Sequence, residues 1–311
     1  MRWPMVRRTA VSTLAGVVAW RYSSPELAGA SGRPATVTLN TGVQVPALGF
    51  GTYLMTGDTC REAVLAALRA GYRHIDTAQG YMNEAQVAEA LEESGVPREQ
   101  VFLTSKLWCD SHGTEATRRA IRNTLRRLRT SYLDLYLMHA PDNQGATPEE
   151  VVELRRQSWL VLEEEHKKGT LRAIGVSNFE PRHIEQLLKW GQVPPAVNQV
   201  ECHPYLQQRE LAAFCAAKGI VLEAYGSVGA DGLLADPAVL RIAAERRRTP
   251  AQVLLRHALQ RGQVVLVKSS TPRRIRENAR VFEFSLSEAD MGALSALERG
   301  ERSYWDNSDV P

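Results

Sequence analysis

Apolar and polar positions along this chain alternate between two periods. From about residue 47 onward, short runs rich in β-branched and aromatic residues occur at 48–51, 73–77, 101–106, 133–139, 173–177, 197–202, 220–225 and 264–268, and they predict strands. Between them, stretches with apolar residues three and four apart at 59–70, 83–94, 114–128, 149–168, 180–190, 208–218, 236–260 and 272–281 predict helices. Start signals support two of these helices. Thr59-Cys60-Arg61-Glu62 reads as a capping box, and Thr147-Pro148-Glu149-Glu150 puts proline at the first helical position.

Eight strand–helix repeats predict an α/β protein built as a single closed parallel (β/α)8 TIM barrel. An open doubly wound sheet is the alternative. That fold normally carries a glycine-rich phosphate loop after its first strand, and Gly49-Phe50-Gly51 lacks the third glycine. The segment Thr36–Leu48 alternates around Asn40-Thr41-Gly42, which predicts an N-terminal β-hairpin capping the lower end of the barrel. Ser287–Leu297 reads as one extra C-terminal helix and 298–311 as a terminal loop. No linker splits 36–311, so this stretch is expected to be one barrel domain, with 1–35 an N-terminal extension.

Composition narrows the class. With 311 residues, 44% of them hydrophobic, the chain can bury a large core, and a net charge of +3 gives no reason to expect nucleic acid as a partner. No apolar run reaches the roughly 20 residues of a membrane span, so no membrane partner is expected either. The four cysteines (Cys60, Cys109, Cys202, Cys215) form no C-x-x-C pair, which points to free thiols in a reducing compartment and to no metal site. Residues 1–30 allow two readings. Their basic start, the apolar Val11–Trp20 and the small-residue run Ala28-Gly29-Ala30 match a targeting segment of an organellar or exported protein. Otherwise they are a disordered extension on a cytoplasmic one.

The chemistry gathers where predicted strands end. Asp76 follows the strand-like Tyr72-Arg73-His74-Ile75, Tyr81 lies five residues on, Lys106 closes the next strand and His139 the one after. In a barrel the working residues collect at the carboxyl ends of the strands. A tyrosine hydroxyl titrates near pH 10 (roughly) and alone is a poor acid at neutrality. A nearby ammonium is expected to lower that value, a carboxylate to hold the ammonium, and an imidazole to aim a carbonyl at the phenol. Singly, each residue has a plain structural explanation: a helix cap, a core ring, an edge lysine, a packed histidine. Their joint placement on successive strands is what points to carbonyl reduction.

Four longer stretches carry a resemblance. Asp76-Thr77-Ala78-Gln79-Gly80-Tyr81-Met82-Asn83-Glu84, Leu137-Met138-His139-Ala140-Pro141, Ile174-Gly175-Val176-Ser177-Asn178-Phe179 and Val267-Lys268-Ser269-Ser270-Thr271-Pro272-Arg273-Arg274-Ile275-Arg276-Glu277-Asn278 are similar to the aldo-keto reductase signatures, in order and spacing. The resemblance implies a (β/α)8 barrel that binds NADPH without a Rossmann domain and reduces small aldehydes or ketones, with Tyr81 as proton donor, Asp76 and Lys106 tuning it and His139 orienting substrate. A non-catalytic, cofactor-binding regulatory or structural member of the same fold is the alternative. A hydrolase using Asp76 and His139 as metal ligands fits less well. The expected assembly is a monomer.

The same resemblance assigns a cofactor set. Ser177, Asn178 and Gln199 match residues that hold the nicotinamide carboxamide, and Tyr225 the aromatic that stacks behind its ring. Gly226, Ser227 and Val228 fall at the pyrophosphate, with Thr52 and Asp76 also at the cofactor. Lys268, Ser269, Ser270, Thr271 and Arg274 match the 2′-phosphate pocket, and Glu277 and Asn278 the adenine edge. The last group has its own logic, since Thr271-Pro272 opens a helix whose amides attract anions and Lys268 and Arg274 add two cations. Tyr53 and Trp108, with Tyr81 and His139, are the expected substrate contacts. Departures from the family pattern are Gly226-Ser227-Val228-Gly229 after the stacking tyrosine, Tyr53 in place of a tryptophan, Ala140 in place of a large aromatic, and little chain beyond Trp305. These predict a wider, less selective pocket.

Overall fold

The computed structural model describes residues 35–143 and 146–311, so the two readings of residues 1–30 lie outside the described residues. Eight strands close the barrel: β3 (Leu48–Gly51), β4 (His74–Asp76), β5 (Phe102–Leu107), β6 (Leu135–Met138), β7 (Ile174–Ser177), β8 (Val197–Glu201), β9 (Val221–Tyr225) and β10 (Val264–Val267). Closure is explicit in the pairing, because β10 runs parallel to both β9 and β3, with Val265 opposite Ala224 on one side and Leu48 on the other. An open sheet would leave two edges unpaired. The barrel reading therefore stands and the doubly wound alternative falls.

Before the barrel, β1 (Thr36–Thr38) and β2 (Gln44–Pro46) pair antiparallel around a turn in which Gly42 adopts φ 82°. Leu39 and Val45 of this hairpin pack against Phe102, Leu135, Ala196 and Val264, at or near the starts of the barrel strands. The Asn40 amide donates to the Pro195 carbonyl at 2.9 Å. An apolar plug thus closes the lower end and leaves the carboxyl ends of the strands as the open face.

The helices are α1 (Gly57–Arg69), α2 (Glu84–Ser94), α3 (Thr114–Arg127), α4 (Pro148–Lys167), α5 (Pro181–Trp190), α6 (Arg209–Ala217), α7 (Pro237–Arg246), α8 (Pro250–Gln260), α9 (Pro272–Ala279) and α10 (Glu288–Ser295). Two expectations need correction. The capping box does not sit at Thr59: the helix starts earlier, with Thr56 extended at the cap position and Thr59 already inside the first turn. The single helix over 236–260 is two helices. Arg247 turns left-handed at φ 52°, and a new start follows at Thr249-Pro250, where the Thr249 hydroxyl accepts from the Gln252 amide and the Gln252 side chain accepts from the Thr249 N–H. Such a cap contributes about 1 kcal/mol, enough to favour a break over continuation. The expected cap at Thr147 is present, with Glu150 completing the box. No helix among the described residues is long and apolar enough to cross a membrane.

Candidate active site

Strand ends and the turns after them build the site. Asp76 is the last residue of β4, and the chain then coils into a single 3-10 turn over Gln79–Tyr81. Gly80 makes that turn fit: a Cβ on it would lie 2.3 Å from Cε3 of Trp108. The Trp108 ring packs on the turn, and the Trp108 N–H donates to the Gln79 side chain at 3.1 Å. Tyr81 is thereby fixed beside the end of β5, where Lys106 points inward and is fully buried.

The Lys106 ammonium donates to Asp76 Oδ1 at 2.6 Å, to the Thr77 carbonyl at 3.0 Å and to the Tyr81 hydroxyl at 3.3 Å. Asp76 Oδ2 accepts from the Gln199 amide at 2.9 Å. Both carboxylate oxygens are therefore occupied, which counts against Asp76 as a metal ligand. His139 follows β6, its ring 5.4 Å from that of Tyr81. The four residues expected to work together are together.

The electrostatics differ from expectation at Tyr81. Burial pushes its phenol well above the ordinary value, and Asp76, Tyr53 and Glu223 push the same way. The expected lowering by Lys106 does not prevail, because the ammonium's shortest bond is to Asp76 and burial dominates. Burial also raises the Asp76 carboxyl, opposed by Lys106 and by the Gln199 amide. It holds His139 far below its usual range, and Lys106 adds to this. The site at neutral pH thus carries a protonated phenol, a neutral imidazole and an ion pair beneath them.

A cleft of about 980 Å³, part of it open to solvent, runs from Tyr81 and His139 past Ser177, Asn178, Gln199 and Tyr225 to Val267 and Lys268. Gly226, Ser227 and Val228 line its middle. Asn178, left-handed at φ 61°, donates to the His139 carbonyl and accepts from the Tyr225 hydroxyl at 2.8 Å. Ser177 donates to the Gln199 carbonyl, and the Ser227 hydroxyl turns inward to the Cys202 carbonyl at 3.1 Å. Thr52 is buried, its hydroxyl bonded to the Asp76 carbonyl rather than turned to the cleft. Past the cleft, Ser269, Ser270, Thr271 and Arg274 surround the start of α9, with Glu277 and Asn278 further along it. Arg273 is tied to Glu277 at 2.8 Å, whereas Lys268 and Arg274 have no hydrogen-bond or ion-pair partner among the described residues.

Several residues escaped the sequence reading. Trp305 packs its ring 5.1 Å from His139 and 5.8 Å from Trp108. Tyr304 sits 5.6 Å from the Tyr225 ring and against Gly226, where a Cβ would meet it at 3.0 Å. Glu201 holds the backbone just before Trp305 by accepting from the Ser303 and Tyr304 amides. The mouth is therefore walled by Trp305, Trp108 and Tyr53. The adjacent aromatic pair in a polar tail was the available signal. Leu54 at the rim and Glu223 beneath the ion pair were also missed. A lone acid in the apolar strand Val221-Leu222-Glu223-Ala224-Tyr225 could have flagged the latter.

A parallel barrel with this site at its open face defines an enzyme-like class, and comparison with known proteins makes it specific. The model of the Aldo/keto reductase family matches residues 47–299. Glyoxal reductase of Bacillus subtilis (strain 168) is 43% identical over 268 residues, covering 86% of this chain and 94% of its own length. Aldo-keto reductase family 1 member A1 of Rattus norvegicus is 41% identical over 293 residues, covering 86% and 90%. Among solved structures, MGS-M4, an aldo-keto reductase enzyme from a Medee basin deep-sea metagenome library, superimposes with a TM-score of 0.83 at 36% identity, over 88% of this chain and 99% of that one. The chain belongs to the aldo/keto reductase family.

Proposed function

We propose that this protein is an NADPH-dependent reductase of small aldehydes and ketones, with Tyr81 as proton donor. The observation that carries the reading is the chain from Asp76 Oδ1 through Lys106 Nζ to the Tyr81 hydroxyl, 2.6 Å and 3.3 Å, at the mouth of a cleft. A carbonyl oxygen placed between Tyr81 and the neutral His139 imidazole is polarised from two sides. Trp108, Trp305 and Tyr53 exclude water around it. Tyr81 then gives its proton to the oxygen as negative charge develops there. A phenol with a raised pKa serves this role, since an alkoxide is a far stronger base and the donor stays protonated.

When bound, a reduced nicotinamide supplies the hydride for the carbonyl carbon. The residues present suit such a group. Ser177, Asn178, Gln199 and Tyr225 line the cleft with polar and aromatic side chains, and Gly226, Ser227 and Val228 follow them along it. Lys268 at the end of the cleft and Arg274 past it are cations without a hydrogen-bond or ion-pair partner among the described residues, beside the start of α9, whose first-turn amides favour an anion. That pairing suits a ribose phosphate and supports NADPH over NADH.

Oxidation of NADPH is followed by absorbance with a panel of small aldehydes that includes glyoxal. Wild type is expected to turn over. Tyr81→Phe should bind NADPH in a calorimetric titration while its kcat falls by about 10²–10⁴-fold, the usual weight of a general acid. A kcat near that of wild type in this variant would remove Tyr81 from the role.

A further inference from the structure

Beneath the ion pair lies a second carboxyl that the reaction as described does not use. Glu223 on β9 pairs in register with Gln199 on β8 and Val264 on β10, and its side chain is 1% exposed. Its Oε2 lies 3.4 Å from the Gln199 amide nitrogen, which also donates to Asp76. Its Oε1 lies 3.6 Å from Nε2 of His74, a nitrogen already bonded to the Thr104 hydroxyl. One amide thus stands between two buried carboxyls, and among the described residues Lys106 is the cation whose charge acts on both.

Charge balance decides how such a cluster sits. The charged or titratable groups facing Glu223 are His74 and Asp76 on β4, Lys106 on β5, and Tyr81 above; Gln199 on β8 is neutral and Val264 on β10 brings none. Two carboxylates against one ammonium leave a buried net negative charge, which a low-dielectric interior opposes. Asp76 holds the ammonium at 2.6 Å, so the proton belongs on Glu223.

We propose that Glu223 is a positioning residue of this site: as a neutral acid it leaves Asp76 alone to hold Lys106, and its ionisation sets a second negative charge under the Asp76–Lys106–Tyr81 chain and slows proton delivery. The inference rests on the reductase reading and deepens it. Negative charge below the site opposes negative charge on the substrate oxygen and on the phenol as it gives up its proton. Burial, and after it the Asp76 charge, raise Glu223 to about 8. His74 is pushed down to about 3 by burial, His139 lies well below its usual range and Tyr81 well above its own. Because Asp76 holds the ammonium at 2.6 Å, a charge change in this chamber just above neutrality is assigned to Glu223.

The test is the pH dependence of kcat for NADPH-driven reduction of a small aldehyde by wild type, Glu223→Gln and Glu223→Asp. In wild type the rate should fall through an inflection near pH 8 by about tenfold, the equivalent of roughly one unit in the donor's pKa. Glu223→Gln, similar in volume, should lack that inflection, and Glu223→Asp should regain one. Infrared titration of wild type should show a protonated-carboxyl C=O band that disappears over the same range, whether or not the variants fold. The same inflection in wild type and Glu223→Gln, or no titrating carboxyl band in wild type, overturns the role of Glu223 and leaves the reductase reading intact. Absence of turnover in wild type at every pH overturns both.

Discussion

Lys106 decides what its neighbours can do. A buried ammonium that gives its shortest bond to Asp76 and a longer one to Tyr81 keeps the phenol oriented without deprotonating it. The residues of this chain were legible from sequence because polar groups at the ends of apolar strands have few structural uses in combination. Burial was not legible, and burial reverses the expected shift of Tyr81. Lys268 and Arg274 have no hydrogen-bond or ion-pair partner among the described residues. Arg274 is exposed and uncommitted, while its neighbour Arg273 is spent on Glu277. Arg274→Ala should raise KM for NADPH by about 10–100-fold, the loss of charge-assisted bonds contributing about 1.5–3 kcal/mol, and change KM for NADH little. Equal effects on both cofactors in steady-state kinetics would remove Arg274 from the phosphate.

Elements carry the site through short turns rather than through the barrel alone. Strand positions were readable because buried parallel strands are continuous apolar runs, whereas helix starts depended on which Thr takes the cap. Thr59 has the right spacing to Glu62 but lies a turn too late, since Thr56 precedes Gly57 and Asp58 and already serves as the extended residue. Thr249-Pro250-Ala251-Gln252 carried its signal in plain view, masked by apolar periodicity on both sides. The Gln79–Tyr81 turn depends on a residue without a side chain. Gly80→Ala places a methyl 2.3 Å from Cε3 of Trp108, so either the ring or the turn must shift. Overpacking of this kind costs about 1–3 kcal/mol, and here it also displaces Tyr81. We expect a lower thermal midpoint together with a fall in kcat at saturating substrate. A midpoint and kcat both equal to those of wild type would mean that the turn absorbs the methyl.

Across the whole molecule, histidine burial ties stability to pH. Burial pushes His74, His112 and His257 down to about 3 and His183 to about 4, and it is the largest effect at each, as it is at His139. Unfolded, these imidazoles titrate near 6.5, so between the two values the unfolded chain binds more protons and stability rises with pH. Their contribution is fully present above about 6.5 and is lost as pH falls toward the folded values, by up to about 1.4 kcal/mol per pH unit for each histidine. Glu223 works the other way: raised from 4.5 to about 8, its contribution is complete below the lower value and is lost as pH rises through the upper one. The histidines outnumber it, so the thermal midpoint should fall steadily on acidification below about pH 6.5. His112 isolates the effect, since both its ring nitrogens are buried without a hydrogen-bond partner among the described residues. His112→Leu should be no less stable than wild type at neutral pH, because no bond is lost and an unsatisfied polar group costs about 1–3 kcal/mol. Its advantage should widen by up to about 1.4 kcal/mol for each unit of acidification, with one proton fewer to take up on unfolding. Denaturant melts of the two proteins at about pH 7.0, 6.0 and 5.0 measure this, and parallel curves would show that His112 takes up its proton as readily in the folded barrel as in the unfolded chain.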